Sequence, residues 1–370
     1  MESSVELAGT PLELRRYPLR SNDKLQAWDA SDRHLFKWLA DNERSPKRPM
    51  VINDAFGAIA CGLKSQQIYL HSDSKISQLA SLRNHDLNQL KHQLTWFDID
   101  QDWPTDIDLV LLKLPKNLNQ LDSQLRKLSQ CLSHGTKVLI AGKAKLINRN
   151  LVDRVKTNIG DAIPTLAWKN TRIIECRFDG EVRKSLPLRR WSVPEFKLSI
   201  SNYPNVFAGN QLDIGARIIL DNFPSGQFKN VCDLGCGNGI LGLRAGQLYP
   251  QAQIHFFDES AAAIASAKYN WQQNHGNKNG HFHWNDCLAN VEANSCDLIL
   301  CNPPFHQGDT ITDHIAWQMI NDAKRVLQKH GSLILVGNRH LSYHIKIQRV
   351  FGNCETIAAN GKFVVLKGLA

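Results

Sequence analysis

The sequence predicts an α/β protein made of two tandem copies of one domain, each with a mostly parallel sheet flanked by helices. Three observations support this. Apolar strand segments alternate with helical segments along the chain, which is the pattern of βαβ units. The order of these segments in the first half recurs in the second half. A chain of 370 residues with 42% hydrophobic content is also long enough to form two cores.

The first half alternates strands and helices after a mixed opening stretch. Helical spacing of apolar residues is present at 25–39. The elements predicted after it are strands at 50–52, 67–70, 108–112 and 137–141, and helices at about 74–83 and 119–132. Because strands and helices alternate, neighbouring strands are expected to run parallel.

The second half repeats this order. Its predicted elements are a strand at 231–234 that turns through glycines into a helix at about 240–248, and strands at 253–257, 281–284 and 298–301. Residues 51–63 match residues 231–243, and residues 107–115 match residues 296–304. The copies differ at the strand ends, where residues 235–239 face residues 55–59, Asp258 faces Ser72, and Asn302 faces Lys113. We therefore expect the first copy to be degenerate.

Charge is distributed unevenly along the chain. Residues 1–200 hold 31 Lys and Arg against 23 Asp and Glu, whereas residues 201–370 hold 13 against 12. A basic first half favours an anionic partner, and a solvated basic face explains it equally well. We predict an N-terminal RNA-binding domain at 1–178, a basic and aromatic linker at 179–205, and a catalytic domain at 206–370.

The predicted linker carries residues that suit an RNA backbone and unstacked bases. These candidate RNA contacts are Arg183, Lys184, Arg189, Arg190 and Trp191. An ordinary solvated linker is the alternative.

Several classes of protein are disfavoured by composition. The N-terminus shows no signal peptide pattern, and no apolar run reaches the length of a membrane span, so a cytoplasmic protein without membrane contact is expected. Nine cysteines are scattered singly, without a Cys-x-x-Cys pair and partner histidines. We expect reduced thiols and no metal site.

The strand at 298–301 ends abruptly at Asn302-Pro303-Pro304-Phe305. Two consecutive prolines cannot extend a central strand, because each lacks an N–H group. The segment offers a side-chain carbonyl, rigid backbone carbonyls and an aromatic face. This combination suits a planar amino group and the ring that carries it, although Asn-Pro alone is also typical of a simple turn.

A glycine loop follows the strand at 231–234. Its spacing is Gly-x-Gly-x-Gly at 235–239, which differs from the dinucleotide fingerprint, and Asp233 precedes it. An acid at that position suits a cationic amino-acid group. Asp258 ends the next strand, where a carboxylate reaches ribose hydroxyls, and Asp286 is placed to accept from an adenine amine. The candidate cofactor-binding residues are Asp233, Gly235, Gly237, Asn238, Asp258, Asp286, Cys287 and Asn302.

These motifs resemble those of class I S-adenosylmethionine-dependent methyltransferases, and more closely the ribosomal RNA guanine-N2 methyltransferases of the large-subunit type. The resemblance covers nearly the whole chain and is more specific after residue 200. The segments that carry it there are 207–220, including 212–215, and 301–307, 315–317, 337–341 and 351–354. It implies two Rossmann-like domains with seven-stranded sheets, a monomer, and S-adenosylmethionine as cofactor. It also implies methylation of one guanine of 23S ribosomal RNA, free or in a pre-ribosomal particle. The implied catalytic residues are Asn302, Pro303, Pro304 and Phe305.

Other functions remain open from the sequence alone. A small-subunit 16S RNA target is the nearest alternative, followed by amino methylation of protein glutamine or of adenine. A non-catalytic RNA-binding protein fits the first half but not the intact motifs of the second. A nicotinamide dehydrogenase is disfavoured by the glycine spacing and by Asp233.

Overall fold

The chain folds into two compact units, Met1–Pro187 and Leu188–Ala370. The structure is a computed structural model that describes residues 3–19, 25–276, 279–304 and 310–370, with the backbone alone for 310–313. The residues assigned to a linker, 179–205, are divided between the two units. Among the described helices, none has the length and apolar character needed to cross a bilayer.

The first unit contains a seven-stranded sheet and a small hairpin. Its strands are β1 (Ser4–Leu7), β2 (Thr10–Glu13), β3 (Pro49–Ile52), β4 (Gln67–His71), β5 (Gln93–Trp96), β6 (Leu109–Lys113), β7 (Lys137–Lys143), β8 (Ala162–Pro164) and β9 (Thr171–Arg177). Its helices are α1 (Ala30–Asp41), α2 (Ala58–Gly62), α3 (Lys75–Leu87), α4 (Leu118–Ser129) and α5 (Arg149–Ile159). The sheet order is β5-β4-β3-β6-β7-β9-β8, and β9 runs antiparallel to both of its neighbours.

The second unit has the same plan. Its strands are β10 (Arg189–Val193), β11 (Leu198–Asn202), β12 (Asn230–Leu234), β13 (Gln253–Asp258), β14 (Gly280–Trp284), β15 (Cys296–Cys301), β16 (Leu327–Asn338), β17 (Glu355–Ala359) and β18 (Phe363–Leu369). Its helices are α6 (Ile214–Asp221), α7 (Ile240–Leu248), α8 (Ala261–His275), α9 (Thr310–Val326) and α10 (Tyr343–Phe351). The sheet order β14-β13-β12-β15-β16-β18-β17 matches that of the first unit strand for strand.

Each sheet has a hydrophobic core on both faces. In the second unit, α6, α7 and α8 cover one face with residues such as Leu243 and Trp271, and α9 and α10 cover the other with Ile320 and Ile347. Central parallel strands buried on both sides are continuously apolar, which is why they were recognisable as strands. The predicted fold class, two mostly parallel seven-stranded sheets flanked by helices, is confirmed.

The loop after the first parallel strand corrects the sequence alignment of the two units. Gly57 precedes α2 with a φ of 80°, and Gly239 precedes α7 with a φ of 85°. This left-handed backbone favours glycine. Matching these two glycines sets residues 235–239 opposite residues 53–57, so the predicted match to residues 55–59 is wrong by two positions.

Candidate active site

The predicted site residues meet at one edge of the second sheet. Strands β12 to β15 run parallel, so their carboxyl ends share that edge. The glycine loop at 235–239 follows β12, Asp258 ends β13, Asp286 follows β14, and Asn302 follows β15. Ligands of open α/β sheets bind outside such strand ends, and this edge is therefore the candidate active site.

Asn302 is half-buried and its amide is held in one orientation. Its Nδ2 donates a hydrogen bond to Asp213 Oδ2 at 3.1 Å. Because a carboxylate only accepts, the amide nitrogen stays on the side of Asp213. Asn302 Oδ1 is buried and accepts no hydrogen bond from any described residue. A buried acceptor without a donor costs about 1–3 kcal/mol, so this oxygen marks a place for a ligand N–H group.

Asp213 is a site residue that the sequence analysis missed. It precedes α6 as its N-cap and accepts from the Ala216 N–H at 3.1 Å. The sequence signal for a cap was present, but the contact with Asn302 spans 89 positions of chain. Asp213 therefore joins the start of α6 to the end of β15.

The glycines of the loop have different roles. A Cβ added at Gly237 would meet no atom within 4 Å, so this stretch of backbone faces open space. A Cβ added at Gly239 would lie 3.0 Å from the Ala267 Cβ, because α7 and α8 pack closely there. Gly237 is thus the loop position where a ligand can approach the backbone.

Asp258 is fixed by two backbone hydrogen bonds. Its Oδ2 accepts from the Gly237 N–H and its Oδ1 from the Ser260 N–H, both at 2.9 Å. A carboxylate only accepts hydrogen bonds, so the groups of a ligand that suit it are hydroxyls and amines. The position at a strand end therefore fits the predicted contact with a ribose.

Two other predicted cofactor residues are buried, Asp233 at the end of β12 and Asn238 within the loop. Asp233 is 1% exposed and its Oδ2 accepts from the Gly242 N–H at 2.8 Å. Burial raises the pKa of the Asp233 carboxyl to about 8, and the charge of Asp258 adds to the effect. Asn238 Oδ1 accepts from the Ile240 N–H at 3.3 Å. The contacts that the structure shows for both residues support the loop, and their contact with a cofactor stays a prediction.

Asp286 and Cys287 lie beyond β14. Asp286 is 5% exposed, and its Oδ1 accepts from Gln318 Nε2 of α9 at 2.8 Å. Burial raises the pKa of the Cys287 thiol, which stays protonated at neutral pH. Gln318 had no sequence signal, since a glutamine in a helix is ordinary.

The structure describes only part of the Asn302-Pro303-Pro304-Phe305 segment beyond Asn302. Pro303 is buried and Pro304 is exposed, whereas Phe305 lies outside the described residues. In the part of the chain that is described, no three His, Cys, Asp or Glu side chains form a cluster able to hold a metal ion.

Comparison with known proteins identifies the family. The family model described as Methyltransferase small domain matches residues 197–367, and that described as RLMG N-terminal domain matches residues 2–180. Two curated relatives are both named ribosomal RNA large subunit methyltransferase G. The one from Shewanella sp. (strain W3-18-1) is 50% identical over 99% of both chains. The one from Shewanella denitrificans is 52% identical over the full length of both.

The chain belongs to the ribosomal RNA large subunit methyltransferase G family. A solved structure of similar fold is the T. thermophilus 16S rRNA N2 guanine methyltransferase, RsmC, in complex with AdoMet and guanosine. It has a TM-score of 0.77 and 20% identity over 99% of this chain and 97% of that one. The family predicted from the sequence is confirmed.

In this family member, the first unit has an ion pair where the second has the amide. Lys113 in the first unit corresponds to Asn302 in the second, as the sequence alignment predicted. Lys113 follows Leu112, which pairs with the last residue of β3, and Asn302 follows Cys301, which pairs with the last residue of β12. Lys113 Nζ lies 2.9 Å from Asp29 Oδ1 and 2.5 Å from Asp32 Oδ1. Asp29 caps α1 as Asp213 caps α6. Two side chains in contact thus occupy the same places in both units, but the first unit has a lysine cation in place of the amide oxygen.

The loop of the first unit is also closed. Both carboxylate oxygens of Asp54 accept backbone N–H groups, from Gly57 at 3.0 Å and from Ile59 and Ala60 at 2.9 Å. Phe56 stands where the second unit has Asn238, with the Arg16 guanidinium 5.0 Å from its ring centre. An internal carboxylate therefore occupies the helix N-terminus that a ligand would otherwise approach.

The structure separates the predicted RNA contacts into two kinds. Arg183 Nη1 and Nη2 contact the Asp179 carboxylate at 2.5 and 2.6 Å, and the side chain is 14% exposed. Trp191 packs against the core of the second unit. The ring is half-buried there, and its contact with RNA stays a prediction. Lys184, Arg189 and Arg190 are exposed and stay candidates.

Proposed function

We propose that this chain transfers a methyl group from S-adenosylmethionine to the N2 amine of one guanine in 23S ribosomal RNA. The observation that carries the proposal is Asn302 Oδ1, which is buried and has no partner among the described residues, while Nδ2 is bound by Asp213. The relatives' names support an rRNA of the large subunit, and the RsmC complex with guanosine supports the guanine.

The residues at the sheet edge fit S-adenosylmethionine. The open backbone at Gly237 and the carboxylate of Asp258 would hold its ribose, and Asp286 with Cys287 would hold its adenine. When bound, the cofactor supplies a methyl group on a positively charged sulfonium. The chemistry then depends on making a nitrogen lone pair available.

The lone pair of a guanine amine is delocalised into the ring, so the amine is a poor nucleophile. Asn302 Oδ1 and the Pro303 carbonyl would accept its two N–H groups and favour a pyramidal nitrogen. The same oxygens would stabilise the positive charge that develops on it, and the methylated nitrogen would afterwards lose one proton to solvent. The base must be unpaired or flipped to enter, and Phe305 would stack on it. This arrangement works by positioning and electrostatics.

The direct test is to map methylated guanine in ribosomal RNA. In cells lacking the protein, each 23S RNA molecule should contain about one N2-methylguanosine fewer than in wild-type cells. Purified protein with labelled S-adenosylmethionine should restore it in naked 23S RNA or in large subunits from those cells. Label in 16S RNA, label in N6-methyladenosine, or no label would each contradict the proposal.

Asp213 should act through Asn302. Replacing it by Ala frees the Asn302 amide to turn, and we expect kcat to fall roughly 10- to 100-fold, as for other small misplacements of a reacting group. Asp213→Asn retains an acceptor for both Asn302 and the start of α6, and should recover much of the rate.

The measurement is kcat and KM for both Asp213 variants, together with the affinity for S-adenosylmethionine by calorimetry. A change confined to cofactor affinity, or equal losses in Asp213→Ala and Asp213→Asn, would show that Asp213 does not orient Asn302.

A further inference from the structure

An open groove of about 670 Å³ lies between α9 and α10 on the second unit. Its lining residues are Trp317, Asn321, Lys324, Arg325, Arg349 and Val350. We call it the α9–α10 groove. None of these residues belongs to the candidate active site, and Trp317 has no predicted role beyond its place in the family resemblance.

Cations lie next to two aromatic rings in or beside this groove. The Arg349 guanidinium carbon and the Lys346 Nζ are each 5.7 Å from the centre of the Trp317 ring. Lys324 Nζ is 5.2 Å from the Phe351 ring centre. Trp317 is half-buried, so one part of the ring is fixed by packing and another part stays accessible. A fixed ring beside cations attracts planar, anionic molecules.

The groove is also short of acids. On the described side chains of α9 and α10 the basic residues are Lys324, Arg325, Lys346 and Arg349, whereas the acidic one is Asp322. Asp322 lies 3.7 Å from Arg325, whose guanidinium also donates to the Leu288 carbonyl at 2.7 Å. Arg325 is therefore neutralised within the unit. Lys324 and Arg349 have no carboxylate within ion-pair distance in the described chain.

The groove shares a helix with the candidate active site. Gln318 of α9 contacts Asp286 at the sheet edge, and its neighbour Trp317 faces α10. Successive residues of one helix thus point to the site and to the groove. If one nucleotide of a nucleic acid lies in the site, the nucleotides next to it in the strand must lie on nearby surfaces such as this groove.

We infer that the α9–α10 groove binds a single-stranded segment of the ribosomal RNA substrate, with a base against Trp317 and phosphates at Lys324 and Arg349. The inference rests on the proposed function for the identity of the nucleic acid. Stacking on one tryptophan and neutralisation of phosphates both give affinity without reading sequence.

The test compares RNA binding by Arg349→Glu and Trp317→Ala with that of the wild-type chain, by filter binding to a 23S RNA transcript. Each variant should bind roughly tenfold more weakly. Arg349→Gln should lower the slope of log affinity against log salt by about one. Lys268→Glu is the matched control, since it makes the same charge change at an exposed position of α8 and should change affinity less than about twofold.

S-adenosylmethionine affinity should be unchanged in all variants, which shows that the unit is folded. Arg349 is exposed, so its variants keep the test valid if Trp317→Ala does not fold. Wild-type RNA affinity in Arg349→Glu would overturn the inference and leave an acidic protein segment as the occupant. Because the assay needs no methyl transfer, a chain that binds RNA through the groove but methylates no guanine would overturn the proposed function alone.

Discussion

Asn302→Ala should reduce methyl transfer to 23S RNA by at least roughly 10²–10³-fold, the loss seen when one preorganised electrostatic partner is removed from an active site. The substitution deletes the buried Oδ1 that has no partner among the described residues, and with it the acceptor for the substrate amine. Asn302 is half-buried at a strand end, and Ala keeps the backbone that leads into Pro303. Stability and cofactor affinity should therefore change little.

The measurements are single-turnover methylation with labelled S-adenosylmethionine and calorimetric titration of the same cofactor. Asn302→Ala should lose the first signal and keep the second. The double variant Asn302→Ala with Asp213→Ala provides the control. If Asp213 acts only by orienting Asn302, its removal adds nothing once the amide is gone. Turnover near the wild-type rate in Asn302→Ala would refute the proposed role of the amide.

The duplicated architecture was predictable because buried parallel strands are apolar throughout and end at polar residues. The match between Lys113 and Asn302 came from this pattern, and the strand pairing in both units agrees with it. The glycine loop was misaligned for a physical reason. Asn53 and Gly235 both have positive φ, at 63° and 68°, and asparagine tolerates that region better than most residues. The two positions therefore share a backbone conformation but not a residue type, and the sequence alignment did not match them.

Trp191 lies in a basic segment, and strand pairing explains why it is half-buried. The pairing of β10 with β11 sets Trp191 opposite Ile200, and alternate residues of a strand face opposite sides. Trp191 and Val193 thus pack inward while Arg190 points outward. The hairpin was not predicted from the sequence, so neither was this partial burial of the tryptophan beside Arg189 and Arg190.

Contacts between distant segments were beyond sequence reasoning. The pair of Asp213 with Asn302 and the pair of Gln318 with Asp286 join residues 89 and 32 positions apart. Each residue alone has an ordinary explanation, a helix cap or a helix surface. Only the fold brings α6 and α9 to the strand ends where these side chains matter.

The buried charges of the first unit predict a large effect on stability. Lys113 and Asp32 have side chains 13% and 6% exposed, and their ion pair is flanked by Asp29. Burial raises the pKa of Asp32 despite the opposing charge of Lys113, and burial with the charge of Asp32 raises the pKa of Asp54 to about 6. The positive charge of Lys113 thus offsets the repulsion among the carboxyls of Asp29, Asp32 and Asp54.

Lys113→Met should destabilise the first unit by about 3–5 kcal/mol at neutral pH, because it leaves the Asp32 carboxylate buried without a cation. The pKa of Asp32 then rises further above its unfolded value. A carboxyl with a raised folded pKa contributes stability below its unfolded pKa and loses it as pH rises through the folded pKa. The deficit of the variant should therefore be small near the unfolded value of about 4 and grow toward neutrality.

Hydrogen exchange at the amides of α1 and β6 measures this locally, at several pH values. Lys113→Met with Asp32→Asn is the control, since the Asn retains an acceptor for the Asp29 N–H and removes the stranded charge. It should recover most of the loss. If Lys113→Met loses the same stability at pH 4 and pH 7, Lys113 stabilises the unit by packing. A loss that grows from pH 4 to pH 7 would show that its charge stabilises the neighbouring carboxylates.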